Sequence, residues 1–284
     1  MEIIALQDIK KNMSGLLIDL KDQYGPTTVS FLLRTKQSTL SRIIDEKEYP
    51  IDDISGLGKS GNFNLGTVFY FGVDSECVIR FINNEKEIFP SRYKKAAFTK
   101  RRVTQNLLKA LEKIYGPQMV QSALSTMQTT PDTFADHNLE QTISTIFNSD
   151  LLAFLEQEQC IKDMAGLGAV AAHEYAGSPF GDSFLQMSYK DIFAKLGEEI
   201  FNHVEKSHRY RITKLTSSCA IIEKTLSEEM KEILKVTSYS NYQMSQYIGG
   251  CAAGIPMLAG KRPASIQVTK FAGAGALCEY TLEF

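Results

Sequence analysis

The chain closes with "ASIQVTKFAGAGALCEYTLEF" (residues 264–284), in which two alternating stretches flank a short run of small residues. Every second residue is apolar from Ala264 to Val268 and again from Cys278 to Phe284, and the residues between them are polar. A period of two is typical of β-strands that bury one face. The stretch therefore predicts an antiparallel hairpin with Cys278 on its buried side.

The glycines of "AGAG" (272–275) are open to two interpretations. A phosphate-binding loop places its glycines after a strand and before a helix, whose first N–H groups face the anion. Here a second strand follows, and the Gly-Lys-Ser/Thr sequence of such loops is missing. We favour a hairpin turn with positive φ angles.

The composition is that of a globular protein, since 43% of the 284 residues are hydrophobic and 23% are charged. This length suffices for one large domain or two modest ones. The formal net charge of −2 argues against a protein devoted to binding nucleic acid. Five cysteines, widely spaced and odd in number, favour reduced thiols over a disulfide framework.

Targeting signals are not evident in the sequence. The N-terminus has no basic lead into an apolar segment of signal-peptide length, and no apolar run is long enough to span a bilayer. We therefore expect a soluble cytoplasmic protein that does not use a membrane as a partner.

One unit of sequence occurs twice. "LLIDLKDQYGPTTVSFLL" (16–33) and "LLKALEKIYGPQMVQSAL" (107–124) align without gaps and share eight residues. Each copy predicts an amphipathic helix that ends at Tyr-Gly, with Pro as the first residue of the next helix. An internal duplication is favoured over chance, although the likeness stops at this unit.

A basic segment, "SRYKKAAFTKRR" (91–102), separates the two copies and contains six basic residues and no acidic one. We interpret 91–102 as a solvated linker, with binding of phosphates or an acidic partner as the alternative. The predicted domains are then 1–90 and 103–284. In the first domain we expect helices followed by a small β-meander.

The expected meander consists of strands at 67–71, 77–81 and 87–89, joined by short turns. Helices followed by a strand pair would also suit a winged-helix DNA-binding domain. No helix rich in Arg, Asn or Gln is evident in this half, so nucleic acid is not an expected partner.

The second predicted domain begins with helices, and its clearest apolar stripe at helical spacing lies at 189–204. A strand candidate follows at 210–223. The segment 242–259 predicts a helix with an apolar face and many glycines and alanines. Such small residues lower helix propensity, so we expect this helix to approach a neighbour or a ligand closely.

Two patterns resemble catalytic motifs. "HEYAG" (173–177) begins like the HExxH zinc motif but lacks the second histidine, so we interpret His173 as a surface or pocket group. Cys251 would act as a nucleophile only beside a base, and its apolar helical face favours a core or pocket-lining thiol. No spacing assembles a catalytic set, so no enzyme is predicted. Cys251 and His173 within hydrogen-bond reach in an open cleft would change that prediction.

The last third resembles the vinyl-4-reductase-type small-molecule-binding domain. Relatives of that domain include ligand-sensing domains of aromatic-responsive activators, the haem/NO-binding fold and vesicle-tethering transport subunits. The family ends in a Gly-x-x-x-Gly helix, a strand, a Gly-containing turn, a cysteine and a last strand. This chain matches that ending with Gly250 and Gly254, "ASIQVTK" (264–270), "AGAG" and "CEYTLEF" (278–284).

Upstream segments extend the resemblance. "LEKIYGPQMVQSAL" (111–124), "MAGLGAVAAHEY" (164–175) and "YKDIFAKLGEEIF" (189–201) are similar to bacterial members of that superfamily, of a type common in myxobacteria. The resemblance covers about 103–284.

The chain departs from the family at its metal positions. Zinc-containing members carry several cysteines around this hairpin, and only Cys278 is a cysteine here, since the others fall at Gly249 and Lys270. The resemblance therefore implies no zinc. Haem-binding relatives carry a Tyr-x-Ser-x-Arg signature that is missing here, so we expect no cofactor, and His173 is the candidate axial ligand should haem bind.

The resemblance implies an α/β (α+β) fold in which helices pack on an antiparallel sheet, with a ligand pocket between them. Small-ligand pockets are mostly apolar, and so is the set expected to line this one: Phe193, Leu196, Ile200, Tyr247, Cys251, Ile255 and Cys278.

The implied function is that of a non-enzymatic sensory or regulatory protein. It would bind a small apolar or aromatic ligand and signal through dimerisation or a protein partner. The alternative is an interaction or scaffold module without a ligand, as in the transport subunits. An exposed apolar patch over a filled core would favour that alternative.

Overall fold

The computed structural model describes residues 4–45, 51–159, 161–197, 201, 205–235, 241–272 and 276–284. They form two compact units, of which the first contains 1–92 and 120–135 and the second contains 93–119 and 136–284. The predicted domains, 1–90 and 103–284, assign 120–135 to the second domain. In the structure this segment packs within the first unit, where the Asn64 side-chain amide donates a hydrogen bond to Thr126 Oγ1 at 2.7 Å.

The described part of the first unit is helical. Its helices pack around one apolar core that includes Leu17, Leu20 and Ile43. The elements are α1 (Leu6–Tyr24), α2 (Pro26–Leu32), α3 (Gln37–Ile44), α4 (Ile51–Gly61), a π-helical turn (Thr67–Phe71), α5 (Ser75–Ile82) and a 3₁₀ turn (Pro131–Phe134).

The prediction of a β-meander at 67–89 is wrong. Residues 67–71 form the π-helical turn, 77–81 lie inside α5, and 87–89 belong to no described strand. The Asp74 carboxylate caps α5 by accepting a hydrogen bond from the Cys77 N–H at 3.3 Å. β-Branched and aromatic residues favour strands only in a suitable packing environment, and here packing in the helical core favours a helix.

The two Tyr-Gly-Pro corners are confirmed. α1 ends at Tyr24, Gly25 has φ 77°, and Pro26 begins α2. In the same way α6 (Arg101–Tyr115) precedes Gly116, which has φ 87°, and α7 (Pro117–Thr126) follows. Both glycines adopt positive φ angles that other residues rarely reach, so the repeated sequence encodes a repeated helix corner.

The second unit combines helices with an antiparallel sheet, which confirms the predicted fold class. Besides α6 its elements are β1 (Thr99–Lys100), β2 (Thr142–Ile143), α8 (Thr145–Gln157), α9 (Met164–His173), α10 (Pro179–Asp182), α11 (Tyr189–Lys195), β3 (His208–Leu215), β4 (Cys219–Leu226), α12 (Glu228–Leu234), α13 (Tyr242–Gly254), a 3₁₀ turn (Ile255–Ala259), β5 (Ser265–Ala272) and β6 (Leu277–Glu283). Among the described residues, no helix has both the length and the apolar character needed to cross a bilayer.

The larger sheet has the strand order β3-β4-β6-β5, and each neighbouring pair is antiparallel. The long strand expected at 210–223, with an interruption near "TSS" (216–218), is two strands, β3 and β4, because the chain turns at that interruption. The C-terminal hairpin is confirmed as β5 and β6, with Cys278 and Leu282 fully buried. The glycines at 273 and 275 lie outside the described residues.

The basic segment 91–102 is only partly a connector. Its last two residues begin α6, and Lys100 and Arg102 both form ion pairs with Glu140, at 2.7 and 2.8 Å. Two of its six positive charges therefore have a partner inside the second unit, which weakens the alternative that the segment binds an external anion.

Candidate functional site

The second unit contains a cavity of about 80 Å³ between α6, α9, α13 and the start of β3. Apolar and aromatic side chains form most of its wall. Among them are Val103, Phe180, Phe201, Met244 and Ile248. Small-ligand sites have this character, with a few polar groups set in an apolar surround.

Local sequence signals start the helices that frame the cavity. The Asn241 side chain caps α13 by accepting a hydrogen bond from the Met244 N–H at 2.7 Å. The Asp163 carboxylate caps α9 through the Gly166 N–H, also at 2.7 Å. Side-chain oxygens at these positions satisfy N–H groups that the helix itself leaves unpaired.

Glycines bring α9 and α13 into backbone contact. A Cβ atom added at Gly250 would lie 2.0 Å from the carbonyl oxygen of Ala165, and one at Gly168 would lie 2.1 Å from the carbonyl oxygen of Tyr247. Only a hydrogen atom fits at such distances. The expected close approach of the small-residue helix to a neighbour is therefore confirmed.

The same contact builds one wall of the cavity. Ala171 and Ala172 from α9 lie beside Tyr247 and Cys251 from α13 in the cavity lining. Small side chains on one helix face larger ones on the other, so the wall leaves free volume where two large residues would meet and fill it.

Glu205 places a buried carboxylate at the cavity wall, with an exposed fraction of 6%. Its Oε2 accepts a hydrogen bond from the Tyr210 hydroxyl at 2.8 Å, and its Oε1 accepts one from the Ser207 N–H at 2.8 Å. Burial acts to raise the pKa of Glu205, but His208 and the Tyr210 hydroxyl outweigh it and hold that pKa below its usual value. The carboxylate is thus ionised, which makes the cavity unfavourable for an anionic ligand.

Asn106 supplies an unsatisfied amide. It lies on α6, lines the cavity and is 4% exposed, and its Nδ2 has no hydrogen bond of good geometry within the described part of the chain. The nearby Tyr175 hydroxyl interacts with the Asn106 side chain, which acts to lower the pKa of that hydroxyl, but the geometry leaves the amide donor poorly satisfied. A buried amide donor without a partner costs about 1–3 kcal/mol. Such a group in a native fold calls for an occupant that accepts its hydrogen bond.

The Cys251 thiol lines the cavity in its neutral form. Burial raises its pKa to about 12, so the thiol stays protonated at neutral pH and is a poor nucleophile. His173 is exposed at the C-terminal end of α9 and is not part of the cavity wall. The structure therefore does not bring Cys251 and His173 together at this site.

The "HEYAG" segment begins where α9 ends, and its Glu174 forms an ion pair with Lys113. No group of three or more His, Cys, Asp or Glu side chains is arranged to hold a metal ion within the described residues.

Four of the seven residues predicted for the pocket line this cavity: Leu196, Tyr247, Cys251 and Ile255. Phe193 is fully buried but stacks on Phe284, with ring centroids 4.8 Å apart, and does not line the cavity. Cys278 is also fully buried and stands opposite Lys224 across β4 and β6, away from the lining. Ile200 lies outside the described residues.

Sequence reasoning missed the polar members of the site. Asn106 shares a helical face with Val103, at a spacing of three, and a polar residue within an apolar stripe was the available signal. The sequence around Glu205 and Tyr210 gave no such signal, because their place at the cavity depends on how the chain turns into β3.

Comparisons with known proteins give distant likenesses only. No protein-family model matches the chain, and no curated protein does. Among solved structures, an Fe(II) unliganded H-NOX protein from K. algicida aligns with 65% of this chain and 96% of its own, at 15% identity and a TM-score of 0.44. An oxygen-binding H-NOX domain related to soluble guanylate cyclases aligns with 66% of this chain and 95% of its own, at 14% identity and a TM-score of 0.46.

Proposed function

We propose that the second unit is a sensory domain that binds a small, neutral, mainly apolar ligand in the cavity beside Asn106. The poorly satisfied Asn106 amide in a mainly apolar wall is the observation that carries the proposal. The ligand carries one hydrogen-bond acceptor for that amide. The protein acts without catalysis and passes the bound state on through dimerisation or a protein partner.

The size of the cavity limits the ligand. Drug-sized molecules occupy pockets of roughly 300–1,000 Å³, and a dry cavity of about 150 Å³ accommodates benzene. The volume of about 80 Å³ here suits a short-chain ketone, aldehyde or alcohol. A single aromatic ring enters only if a wall residue such as Phe180 moves outward.

Haem does not fit the residues described. Its axial ligands are usually His, a Cys thiolate, Met or a Tyr phenolate. Of these types the described lining offers Met244 in a form that could bind iron, while His173 is not in the lining. Burial raises the pKa values of Cys251, Tyr175, Tyr210 and Tyr247, so these groups are neutral. The free volume is also far below that of a porphyrin. We therefore propose no haem for this chain.

The scaffold alternative requires a filled core and an exposed apolar patch. A cavity with an unsatisfied amide instead favours a ligand-binding role. Among the exposed large apolar residues described in the second unit, Tyr242 and Phe271 touch, with ring centroids 5.4 Å apart.

Native mass spectrometry of the purified protein tests the proposal directly. We expect a mass increment below about 150 Da that is lost on gentle heating. The same spectrum also reports the oligomeric state. Gas chromatography of the released material would identify a neutral compound with one acceptor group. A protein that is always ligand-free, and that no small neutral compound stabilises, would contradict the proposal.

Filling the cavity should abolish ligand binding. Ala172→Leu adds three carbon atoms to the wall where α9 meets α13. Acetone at 100 times its Kd should stabilise the wild type by about 2.7 kcal/mol and raise the Tm by several degrees. The variant should show no ligand-dependent shift in a thermal melt. Ala176→Leu adds the same atoms at an exposed position beyond α9 and should respond like the wild type.

The Asn106 amide should discriminate between ligands. Asn106→Leu removes an unsatisfied donor, so the ligand-free protein should melt at the same temperature or higher. Binding of acetone should weaken about 5–10-fold, because one hydrogen bond is lost. Binding of 2-methylpropane, which has a similar shape and no acceptor, should not weaken. An equal effect on both compounds, measured by calorimetric titration, would mean that Asn106 acts only through packing.

A further inference from the structure

Two short helices of the first unit form a helix–turn–helix. α2 and α3 are joined by only four residues, 33–36. Arg34 adopts a left-handed conformation with φ 52°, and the Thr35 N–H donates a hydrogen bond to the Ser30 carbonyl at 3.0 Å, which closes the turn. In many DNA-binding proteins this arrangement carries its second helix into the major groove.

One side of α3 packs in the apolar core, and the other side is exposed to solvent. Leu40 and Ile43 pack with Leu33 and the residues of α1 in one apolar cluster. The opposite side exposes polar residues of types that form hydrogen bonds with base edges: Gln37, Ser38 and Ser41. Arg42 is exposed on this side too, and it already interacts within the protein. Because α1 supports α3 from behind, the exposed side stands on a rigid base.

The charge of this surface differs from that of the whole chain. No acidic residue occurs from 23 to 44, although the formal net charge of the protein is −2. Arg34, Lys36 and Arg42 line one surface cleft with polar residues of the turn, and Asp53 is its one acidic lining residue. The cleft thus has a net positive charge, as contact with phosphates requires.

A hydrogen bond sets the two helices of the motif side by side. The Gln37 side-chain amide, at the first residue of α3, donates to Thr27 Oγ1 near the start of α2 at 2.9 Å. The beginnings of both helices therefore lie on the same surface as the basic cleft. In helix–turn–helix proteins this end of the second helix contacts the bases while the first helix crosses the backbone.

We propose that the first unit binds double-stranded DNA with α3 in the major groove. Arg34 and Lys36 contact phosphates, and Gln37, Ser38 and Ser41 face the base edges. Protein interfaces centre on apolar or aromatic anchors, and the exposed side of α3 has none. Phe31 of α2 is such an anchor, being 83% exposed, but it stands alone among the polar and basic residues of the motif, which favours DNA. The net charge of −2 argued against binding of nucleic acid, but that value sums over the whole chain and does not report the local positive charge of this surface.

A selection experiment with the full chain tests this proposal. Randomised duplexes are enriched for binding, and the recovered duplex is then labelled with fluorescein and titrated at several salt concentrations. Lys36→Ala should weaken binding of all duplexes about equally and lower the slope of log K against log salt by about 1. Gln37→Ala should instead change the base preference at one position of the selected site.

Lys11→Ala provides the matched control. Lys11 is an exposed lysine of α1 in a cleft that it shares with Asp8 and Asp19, so its removal should leave affinity and salt slope unchanged. Circular dichroism confirms that each variant is folded. Enrichment of no duplex, or equal salt slopes for Lys36→Ala and Lys11→Ala, would overturn the proposal. Equal binding of single-stranded RNA with the same variant profile would also overturn it.

Discussion

Gly250→Ala should destabilise the second unit by about 3 kcal/mol or more, the largest stability effect that we expect from a single methyl group in this protein. The new Cβ would lie 2.0 Å from the carbonyl oxygen of Ala165 and 2.7 Å from its Cα. Both atoms belong to the backbone of α9, so no side-chain rotation relieves the clash. The helices must separate, and the packing between them is lost.

Gly168→Ala tests the same contact from the other helix. Its Cβ would lie 2.1 Å from the Tyr247 carbonyl oxygen and 2.8 Å from the Cys251 nitrogen, so a loss of similar size is expected. The double variant should cost less than the sum of the two, because the first substitution already parts the helices. Urea unfolding followed by circular dichroism measures each free energy of unfolding.

Gly15→Ala is the control for these substitutions. Gly15 lies within α1, and a Cβ there would meet no atom within 4 Å. Removing a glycine from a helix interior should stabilise the first unit by about 0.5–1 kcal/mol. If Gly250→Ala also proved neutral or stabilising, the close contact between α9 and α13 would be wrong.

Lys224→Met should remove a pH-dependent penalty from the folded second unit. Lys224 is fully buried on β4, and its Nζ donates a hydrogen bond to Ser245 Oγ at 3.0 Å. Burial lowers its pKa from 10.5 to about 8. At about 1.4 kcal/mol for each pKa unit, the folded state loses on the order of 3 kcal/mol where the lysine is charged in both states.

The direction of the pH effect follows from proton binding. Below about pH 8 the folded and unfolded states are both protonated, and the full penalty applies. Between about pH 8 and 10.5 the unfolded state binds more protons, so the stability of the wild type rises with pH. The Met variant lacks this rise and should be the more stable protein at pH 7.

The measurement is the difference in unfolding free energy between Lys224→Met and wild type at pH 7 and at pH 9.5. Cys251 also makes stability depend on pH in this range, because its thiol loses its proton in the unfolded state while burial raises its folded-state pKa to about 12. This contribution is the same in both proteins and cancels. Lys270→Met on β5, which β6 separates from β4, removes an exposed lysine and should give no pH-dependent difference. A constant difference between Lys224→Met and wild type would mean that Lys224 is not desolvated.

Much of the local structure was predictable because its signals are local. Alternation from Cys278 to Phe284 requires a strand with one buried face, and that hairpin is present. The Tyr-Gly-Pro corners follow from the angles that glycine and proline allow at Gly25 and Gly116. The burial of Lys224 was not predicted, although it shares its strand face with Ala220 and Ile222.

The errors arose where the sequence signal was ambiguous. In "CVIRF" (77–81) β-branched and aromatic residues suggested a strand, yet the segment lies within α5. Short apolar runs suit a strand and a buried helix equally well, and the packing partner decides between them. The Asp74 cap before α5 was the local clue that favoured a helix.

The sequence by itself determined the elements whose residues lie close together along the chain: the hairpin, the helix corners and the small-residue helix α13. The tertiary structure alone determined the cavity and the groups that line it, because Asn106, Glu205 and Cys251 come from distant segments of the chain. Whether free volume remains, and whether an amide lacks a partner, depends on which atoms of distant residues surround that point. Helical and strand periodicity constrain which side of an element is buried, but they do not determine which distant residues meet there or what space remains between them.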